Sequence, residues 1–356
     1  MIGYILFFLS IFISYRVSRN TNELRMLCLL IVLIFASIRY GIGSDYGMYY
    51  DLASFYGQKG QREVEYIPSL LLLLASKTNP VLFFFCTSLF IYGGIIYCIS
   101  KSVDNKDKLG FFLNFIFFIT FPYFFFTSLS IIRNYMAFSI LFIIMVKKES
   151  LNIYYIIILL VIACLCHTSA LTGILLLLPF QKLSRTALAC CILLSFVVGQ
   201  LVTDFIMSID IDLRYVFKAQ AYIDSADKYK GGHFIRLLVL GYSLLALLFY
   251  NKLIKKNRAN SYYIALTCIG CCFQFLLSVS PHMALRICTM FFLSGIMFFH
   301  SLIQVLRVKK TIVVMVLLLL FSMFVYTQHI NDPARLSGEP KTYSPAYPYR
   351  TIFSKQ

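Results

Sequence analysis

Charged residues are scarce in this sequence, and tryptophan is absent. Only 13% of the 356 residues are charged, whereas 60% are hydrophobic. This composition excludes an ordinary soluble domain, in which about a quarter of the residues are charged. The hydrophobic residues come in blocks of about 15 to 20, the length that a bilayer-spanning helix requires. We therefore predict an all-α, polytopic transmembrane helix bundle, in which the 25 tyrosines replace tryptophan as interfacial anchors.

Motifs for nucleotide, nucleophile or metal chemistry are missing as well. The sequence has no Walker loop, no dinucleotide fingerprint, no GxSxG elbow and no cluster with strong metal-ligand spacing. All 11 cysteines lie in hydrophobic blocks, where cysteine behaves as a small apolar residue. We therefore predict neither a cofactor nor a metal site.

About twelve segments are long and apolar enough to be predicted as membrane spans. Their boundaries are 2–16, 24–38, 81–100, 110–127, 130–146, 151–166, 168–181, 186–204, 234–250, 261–279, 283–306 and 311–327. Alternate connections are short and rich in Lys and Arg, and they account for most of the net charge of +17. The positive-inside rule places them in the cytoplasm. Both termini are then on the outer side of the membrane, and no cytoplasmic loop is large enough to hold a nucleotide.

The opposite, outer side carries the long connections. They are 39–80, 205–233 and the C-terminal tail 328–356. Within the first, residues 66–76 are apolar but too short to span, and a span there would move every later basic loop outside. We predict a re-entrant or interfacial helix at 66–76, within a single integral membrane domain covering 1–356. Function is expected on this side, because long loops usually carry it.

The segment from Arg39 to Tyr50 differs in composition from the rest of the chain. It contains an arginine, three glycines, an aspartate and four tyrosines. Glycine allows close backbone approach to a ligand, and arginine offers a planar fork for phosphate. Tyrosines are a common means of holding sugars. Asp45 is either a turn residue or a general base for a sugar hydroxyl.

Four arginines occupy the outer ends of predicted spans. They are Arg39, Arg133, Arg236 and Arg286. An arginine at membrane depth is costly unless it is paired or solvated, although each could also extend its charge to the headgroups. Because the spans contain almost no acids, the four together indicate a shared anionic ligand such as a phosphate. His167, at the same level, is either a structural hydrogen-bonding residue or a proton shuttle.

The missing nucleotide motifs and the outer arginines together constrain the substrate. The reaction proceeds without ATP, so its donor must already be energised and already lie in the membrane. A lipid diphosphate meets both requirements, and its pyrophosphate suits the arginines.

The spacing Arg39-x3-Gly43-x-Asp45-Tyr46-x2-Tyr49 resembles the signature of the EpsG-like family of Wzy-type polysaccharide polymerases. Further similarities extend the resemblance over nearly the whole chain. They are Ser130-x2-Arg133, His167-Thr-Ser-Ala-Leu, Arg286 and Pro348-Tyr349. The resemblance does not indicate which sugar is used.

The resemblance implies a bacterial inner-membrane glycosyltransferase similar to the GT-C class, acting in O-antigen, lipopolysaccharide or related surface-polysaccharide biosynthesis. Such an enzyme moves the growing glycan from undecaprenyl diphosphate to the non-reducing end of a lipid-linked repeat unit on the periplasmic side. A chain-length regulator and a flippase are implied as partners. As hypotheses, Arg133 and Arg286 bind the diphosphate with support from Arg39 and Arg236. Asp45 or His167 is then the base, and the glycan is held by Tyr46, Tyr49, Tyr347 and Tyr349.

Three other activities are considered. An O-antigen ligase would use the same donor, but its family usually has its dominant outer loop late in the chain, whereas 39–80 is early. A membrane O-acyltransferase could use His167 but would leave the Arg-x3-Gly-x-Asp motif unexplained. A lipid-linked oligosaccharide flippase needs charges that are reachable from both sides, whereas the arginines lie on one side.

Overall fold

The computed structural model describes residues 2–43, 45–57, 64–208, 232–278, 281–330 and 351–354. Within these ranges the secondary structure is helical apart from isolated bridges and turns, which confirms the predicted all-α class. The first eight helices are α1 (Ile2–Val17), α2 (Thr21–Ser37), α3 (Tyr46–Phe55), α4 (Tyr66–Ser76), α5 (Pro80–Lys101), α6 (Lys108–Thr120), α7 (Phe125–Ser130) and α8 (Ile132–Lys147).

The remaining α-helices follow a similar pattern of apolar segments. They are α9 (Ile153–Cys166), α10 (Arg185–Ser208), α11 (Gly232–Leu248), α12 (Tyr250–Lys256), α13 (Asn260–Leu276), α14 (Pro281–Phe292), α15 (Ser294–Leu306) and α16 (Lys310–Ile330). Short 3-10 helices cover Thr168–Leu177, Phe180–Lys182 and Ile352–Ser354.

Polar capping residues fix several helix starts. The side chains of Asn20, Asn79, Asp107 and Asn152 each accept a hydrogen bond from a backbone N–H in the first turn of the following helix. Such caps satisfy donors that have no partner within the helix. At α5 the cap is followed by Pro80, whose fixed φ suits the first helical position.

Several predicted segments differ in local structure from a continuous α-helix. Segment 110–127 is broken into α6 and α7, because Phe121 precedes Pro122 and takes an extended conformation (φ −72°, ψ 123°). Segment 168–181 contains 3-10 turns. Segment 283–306 is bent by 51° between α14 and α15. Helix α3 was not predicted, whereas α4 has the predicted bounds 66–76.

One described helix, α5, is by itself long and apolar enough to cross a membrane. Two bent pairs, α11 with α12 (68°) and α14 with α15 (51°), would raise the number to three if each pair forms one span. Seven further described helices are apolar but shorter. The predicted number of about twelve spans and the position of the termini stay predictions.

Contacts divide the chain into two compact units. The first comprises Met1–Ile174 and Thr311–Gln356, and the second comprises Leu175–Lys310. The predicted single membrane domain stays a prediction, as does the placement of segments 205–233 and 328–356. Most of these two segments, 209–231 and 331–350, lies outside the described residues.

The first unit has an aromatic core formed by α1, α2, α7 and α16. The rings of Tyr4, Phe7, Phe35 and Phe126 are buried there, and the Phe7 and Phe35 ring centroids are 4.2 Å apart. Aromatic pairs of this kind contribute beyond the area that they bury. Through α7, this core supports the connection between α6 and α8. The candidate site described below includes the first turn of α8.

The second unit is held by hydroxyl contacts around the bend between α14 and α15. The Tyr242 hydroxyl donates to the Gly295 carbonyl at 2.8 Å, and the Thr267 and Ser294 hydroxyls are 2.8 Å apart. Bends commonly occur at Gly and Ser pairs, and here both residues are fixed by buried partners.

Candidate active site

The arginine of the 39–50 segment binds backbone carbonyl groups. Its Nε donates to the carbonyl of Ile42 at 3.1 Å and one terminal nitrogen donates to that of Leu129 at 3.2 Å. The other terminal nitrogen donates to the carbonyl of Ala36. The Arg39 side chain is only 2% exposed and lies over the Phe84 ring at 5.0 Å. Arg39 therefore ties the segment to the end of α2 and to α7.

The backbone conformation and close surroundings of Gly43 explain why the Arg-x3-Gly motif has a glycine at this position. Its φ is +101°, a value that favours glycine. A Cβ atom there would lie 3.0 Å from the carbonyl carbon of Leu129 and closer still to its oxygen. The same carbonyl accepts the hydrogen bond from Arg39. Arg39 and Gly43 thus both contact the peptide group of Leu129, which lies three residues before α8 begins.

Two tyrosines of the segment pack against α5. The Tyr46 ring stacks on Phe84 at 4.7 Å and the Tyr49 ring stacks on Phe83 at 5.4 Å. Both tyrosines are 1% exposed. Their assignment to glycan binding stays a prediction, and in this structure their rings form part of the packed core.

The Tyr49 hydroxyl reaches the first turn of α8. It accepts a hydrogen bond from Nε of Arg133 at 2.8 Å. Burial raises the pKa of the Tyr49 hydroxyl, and the neighbouring Asp45 and Glu65 carboxylates act in the same direction against the lowering effect of Arg133. The phenol therefore keeps its proton at neutral pH. It accepts from Arg133 while its own O–H remains a donor.

Glu65, directly before α4, completes this arrangement. One terminal nitrogen of Arg133 donates to Oε2 of Glu65 in an ion pair. Oε1 of Glu65 lies 3.6 Å from Nε2 of His167. The side chains of Arg133, Glu65 and His167 are 15%, 18% and 11% exposed. These three residues and Tyr49 are called the Arg133 cluster below, and each retains little contact with solvent.

The tautomer of His167 follows from its other nitrogen. Nδ1 accepts the backbone N–H of Ser169 at 3.1 Å and lies 2.8 Å from the Ser169 hydroxyl. The same hydroxyl accepts from the Asn134 side chain at 3.0 Å. Because an amide N–H can only donate, the ring proton of neutral His167 belongs on Nε2. That proton faces Glu65.

Comparison with known families identifies the chain. The family model described as the EpsG family matches residues 22–351. This chain belongs to the EpsG family. No curated protein and no solved structure matches it significantly.

Membership in the EpsG family agrees with the hydrophobic helices. It makes the chain a membrane protein of polysaccharide biosynthesis with a glycosyltransferase-type role. In this EpsG-family protein the match begins inside α2 and includes every residue of the Arg133 cluster.

The remaining predicted residues of this EpsG-family protein are not members of the Arg133 cluster, although Asp45 is near enough to Tyr49 to raise the pKa of its hydroxyl. Asp45 is half-buried at the start of α3. Arg236 and Arg286 belong to the second unit. There Arg236 donates to the Ser278 carbonyl at 3.0 Å, and Arg286 is half-buried on α14. Their role in diphosphate binding stays a prediction.

The tail tyrosines Tyr347 and Tyr349 lie outside the described residues. The chain just after them returns to the motif, since Thr351 forms an antiparallel bridge with Arg39. The N–H of Ile352 also donates to the Ile38 carbonyl at 2.9 Å. In the part of the chain that the structure describes, no three His, Cys, Asp or Glu side chains are placed to hold a metal ion.

Glu65, Ser169 and Asn134 were not predicted as site residues. Glu65 and Arg133 are 68 positions apart, so local sequence does not indicate that they meet. Acidic residues are scarce in this hydrophobic chain, and a buried arginine needs an anionic partner. Any acid that the fold brings close to a buried arginine is therefore expected to pair with it. Ser169 could have been found from its position two residues after His167, a common spacing for local hydrogen bonds.

Proposed function

We propose that this EpsG-family protein is a surface-polysaccharide polymerase, of the O-antigen polymerase type. In this proposal it transfers the growing glycan from undecaprenyl diphosphate to the non-reducing end of the next lipid-linked repeat unit. The observation that carries the proposal is the Arg133 cluster, which combines an anion-binding guanidinium with proton-accepting and proton-donating groups in one partly buried place. The family membership supports the reaction class.

The donor end of the reaction requires a cation that stabilises the leaving diphosphate. When the anomeric C–O bond breaks, negative charge increases on the diphosphate. Arg133 is suited to this charge because its guanidinium is planar and only 15% exposed, so its interactions are weakly screened. Stabilisation of developing charge is usually the largest catalytic contribution.

The acceptor end requires a base for the attacking hydroxyl. The new bond forms between that oxygen and the anomeric carbon, and the hydroxyl proton must leave. The sequence offers Asp45 and His167 as candidates for this base. Tyr49, which keeps its proton, can hydrogen-bond a sugar or phosphate oxygen beside Arg133.

In this proposal the 39–50 segment positions Arg133. Arg39 and Gly43 fix the Leu129 carbonyl, and the Tyr49 hydroxyl holds the Arg133 side chain. A guanidinium held from two directions loses little freedom when it binds a ligand. The motif therefore acts by preorganising the cation.

The setting of the reaction is also part of the proposal. The active side faces the periplasm of the inner membrane, where lipid-linked repeat units are presented after a flippase has moved them. A chain-length regulator of the same pathway is the proposed protein partner. No metal or nucleotide takes part in the proposed step.

The test uses purified protein in nanodiscs and undecaprenyl-diphosphate-linked repeat units, without ATP or nucleotide sugar. We expect a product ladder that advances by one repeat unit. Arg133→Ala should abolish the ladder, whereas Arg258→Ala, an exposed arginine just before α13, should retain it. Glycosylation of added lipid A core without a ladder would indicate a ligase and contradict the proposal.

A further inference from the structure

The Arg133 cluster already contains an anion, the carboxylate of Glu65, paired with Arg133. A diphosphate-binding site is not expected to keep such an anion on its arginine once the ligand is bound. Arg133 is paired with Glu65, and His167 is held as the neutral Nε2–H tautomer by the N–H of Ser169. The formal charges of the cluster therefore cancel. A diphosphate arriving at this site meets no net positive charge until Glu65 moves away from Arg133.

The ion pair stabilises Arg133 before a donor lipid binds. A partly buried guanidinium without a counter-ion is costly, and breaking such a pair by removing one partner destabilises a protein strongly. Glu65 supplies the negative charge and satisfies one edge of Arg133. Since the Glu65 side chain keeps 18% of its surface exposed and precedes α4, it can turn toward solvent or toward a ligand without breaking a helix.

Building on the proposed function, we propose that Glu65 is an exchangeable counter-ion of Arg133 and the base of the reaction. The donor diphosphate replaces the Glu65 carboxylate on Arg133. The displaced carboxylate, still within reach of the site, then accepts the proton of the acceptor hydroxyl.

The hydrogen bonds of the cluster favour Glu65 over His167 as the base. Nδ1 of His167 already accepts the N–H of Ser169 at 3.1 Å, and Nε2 bears the proton. In this arrangement the Nε2–H of His167 faces Oε1 of Glu65 across 3.6 Å, a distance too long for a hydrogen bond. Glu65 has only acceptor oxygens while it is ionised. Of these two residues, Glu65 is thus the one that can accept the proton.

In the proposed step one C–O bond breaks, one C–O bond forms and one proton moves. The anomeric C–O bond to the diphosphate breaks, and its electron pair leaves with undecaprenyl diphosphate on Arg133. The acceptor oxygen forms the new glycosidic bond, and its proton passes to Glu65. When Glu65 later releases this proton to water, its carboxylate again competes for Arg133 and helps to expel the lipid product. Binding of the donor therefore releases Glu65 from Arg133 and, in the same event, makes it available as the base.

The test compares Glu65→Gln with wild type in two separate measurements. The first is binding of undecaprenyl diphosphate to the purified protein in nanodiscs. The second is ladder synthesis at varied donor concentration. Glutamine keeps the shape but removes the charge and the basicity. We expect E65Q to bind undecaprenyl diphosphate roughly tenfold more tightly, since a charged hydrogen bond no longer competes, and to lose about 100-fold or more in kcat.

Asp51→Asn is the matched control, because it removes an exposed carboxylate from neighbouring helix α3. We expect D51N to bind and polymerise like wild type. A purely structural role of Glu65 would weaken binding and synthesis together, so tighter binding with lower kcat is specific to the proposal. E65Q that binds no more tightly than wild type, or that polymerises normally, would overturn it.

Glu65→Asp provides a second variant if E65Q does not yield folded protein. The side chain is shorter by one methylene, so its hold on Arg133 weakens while a carboxylate remains. We expect tighter lipid binding with partial synthesis, and wild-type binding by E65D would overturn the inference. If the wild-type protein binds undecaprenyl diphosphate but makes no ladder, this result would count against the polymerase function. The comparison of lipid binding between wild type and the Glu65 variants would still decide whether Glu65 is an exchangeable counter-ion of Arg133.

Discussion

Gly43→Ala tests whether the 39–50 segment acts by positioning Arg133. Alanine at this position must adopt φ near the observed +101°, which costs about 1–3 kcal/mol for a residue with a side chain. Its Cβ would also lie 3.0 Å from the carbonyl carbon of Leu129 and closer to the oxygen. Displacing that peptide adds about 1–3 kcal/mol by analogy with overpacking.

Gly57→Ala separates these two costs. Gly57 has nearly the same φ, +98°, but a Cβ there would meet nothing within 4 Å. It therefore carries the backbone strain without the collision. We expect G43A to be about 1–3 kcal/mol less stable than G57A, and only G43A to displace the turn that leads into α8.

The assay combines stability with activity. Denaturant unfolding of both purified variants in the same detergent gives the stability difference, and ladder synthesis gives the activity. G43A should lose roughly tenfold or more in synthesis, because small displacements of a positioned group are costly, while G57A stays close to wild type. Equal stability and equal activity of the two variants would refute the role assigned to the contact between Gly43 and Leu129.

Other substitutions test the Arg133 cluster. Tyr49→Phe removes the acceptor for Nε of Arg133, and we expect a loss of about 1 kcal/mol in stability together with a several-fold loss in ladder synthesis. Arg133→Lys keeps the charge but replaces the planar fork, which contacts Tyr49 through Nε and Glu65 through a terminal nitrogen, by a single nitrogen, so kcat should fall by roughly 100-fold; wild-type kcat would show that charge alone suffices. Ser169→Ala removes the hydroxyl beside Nδ1 of His167 but keeps the N–H, so synthesis measured under the same conditions should fall by less than about tenfold; complete loss would contradict the assigned tautomer.

The helices were predictable because their signal is local. Hydrophobic blocks and capping residues such as Asn79 are read within a few positions, and α5 begins and ends within one residue of the prediction. The break at Phe121 was missed, although Pro122 provides a local reason for it. Helix α3 was missed because its glycine and tyrosines indicate a loop or a ligand-binding edge as readily as a helix.

The candidate site was predicted in part because its arginine and histidine are conspicuous in a hydrophobic chain. Arg133 and His167 were selected from sequence, and the structure brings them together through Glu65. The partner was not selected, since an acid in a long polar segment has no distinguishing local pattern. For Arg39, the sequence could not tell a ligand-binding guanidinium from one that binds carbonyls, because that depends on the distant Leu129.

The pairing of residues 351 and 352 with the end of α2 affects the order in which the protein folds during its biosynthesis. Arg39 and Ile38 leave the ribosome early, yet they pair with Thr351 and Ile352, which are made after every helix from α1 to α16. The backbone around the motif therefore reaches its final pairing only after α16 has been synthesised. A chain truncated before residue 351 would lack both of these backbone contacts at the end of α2.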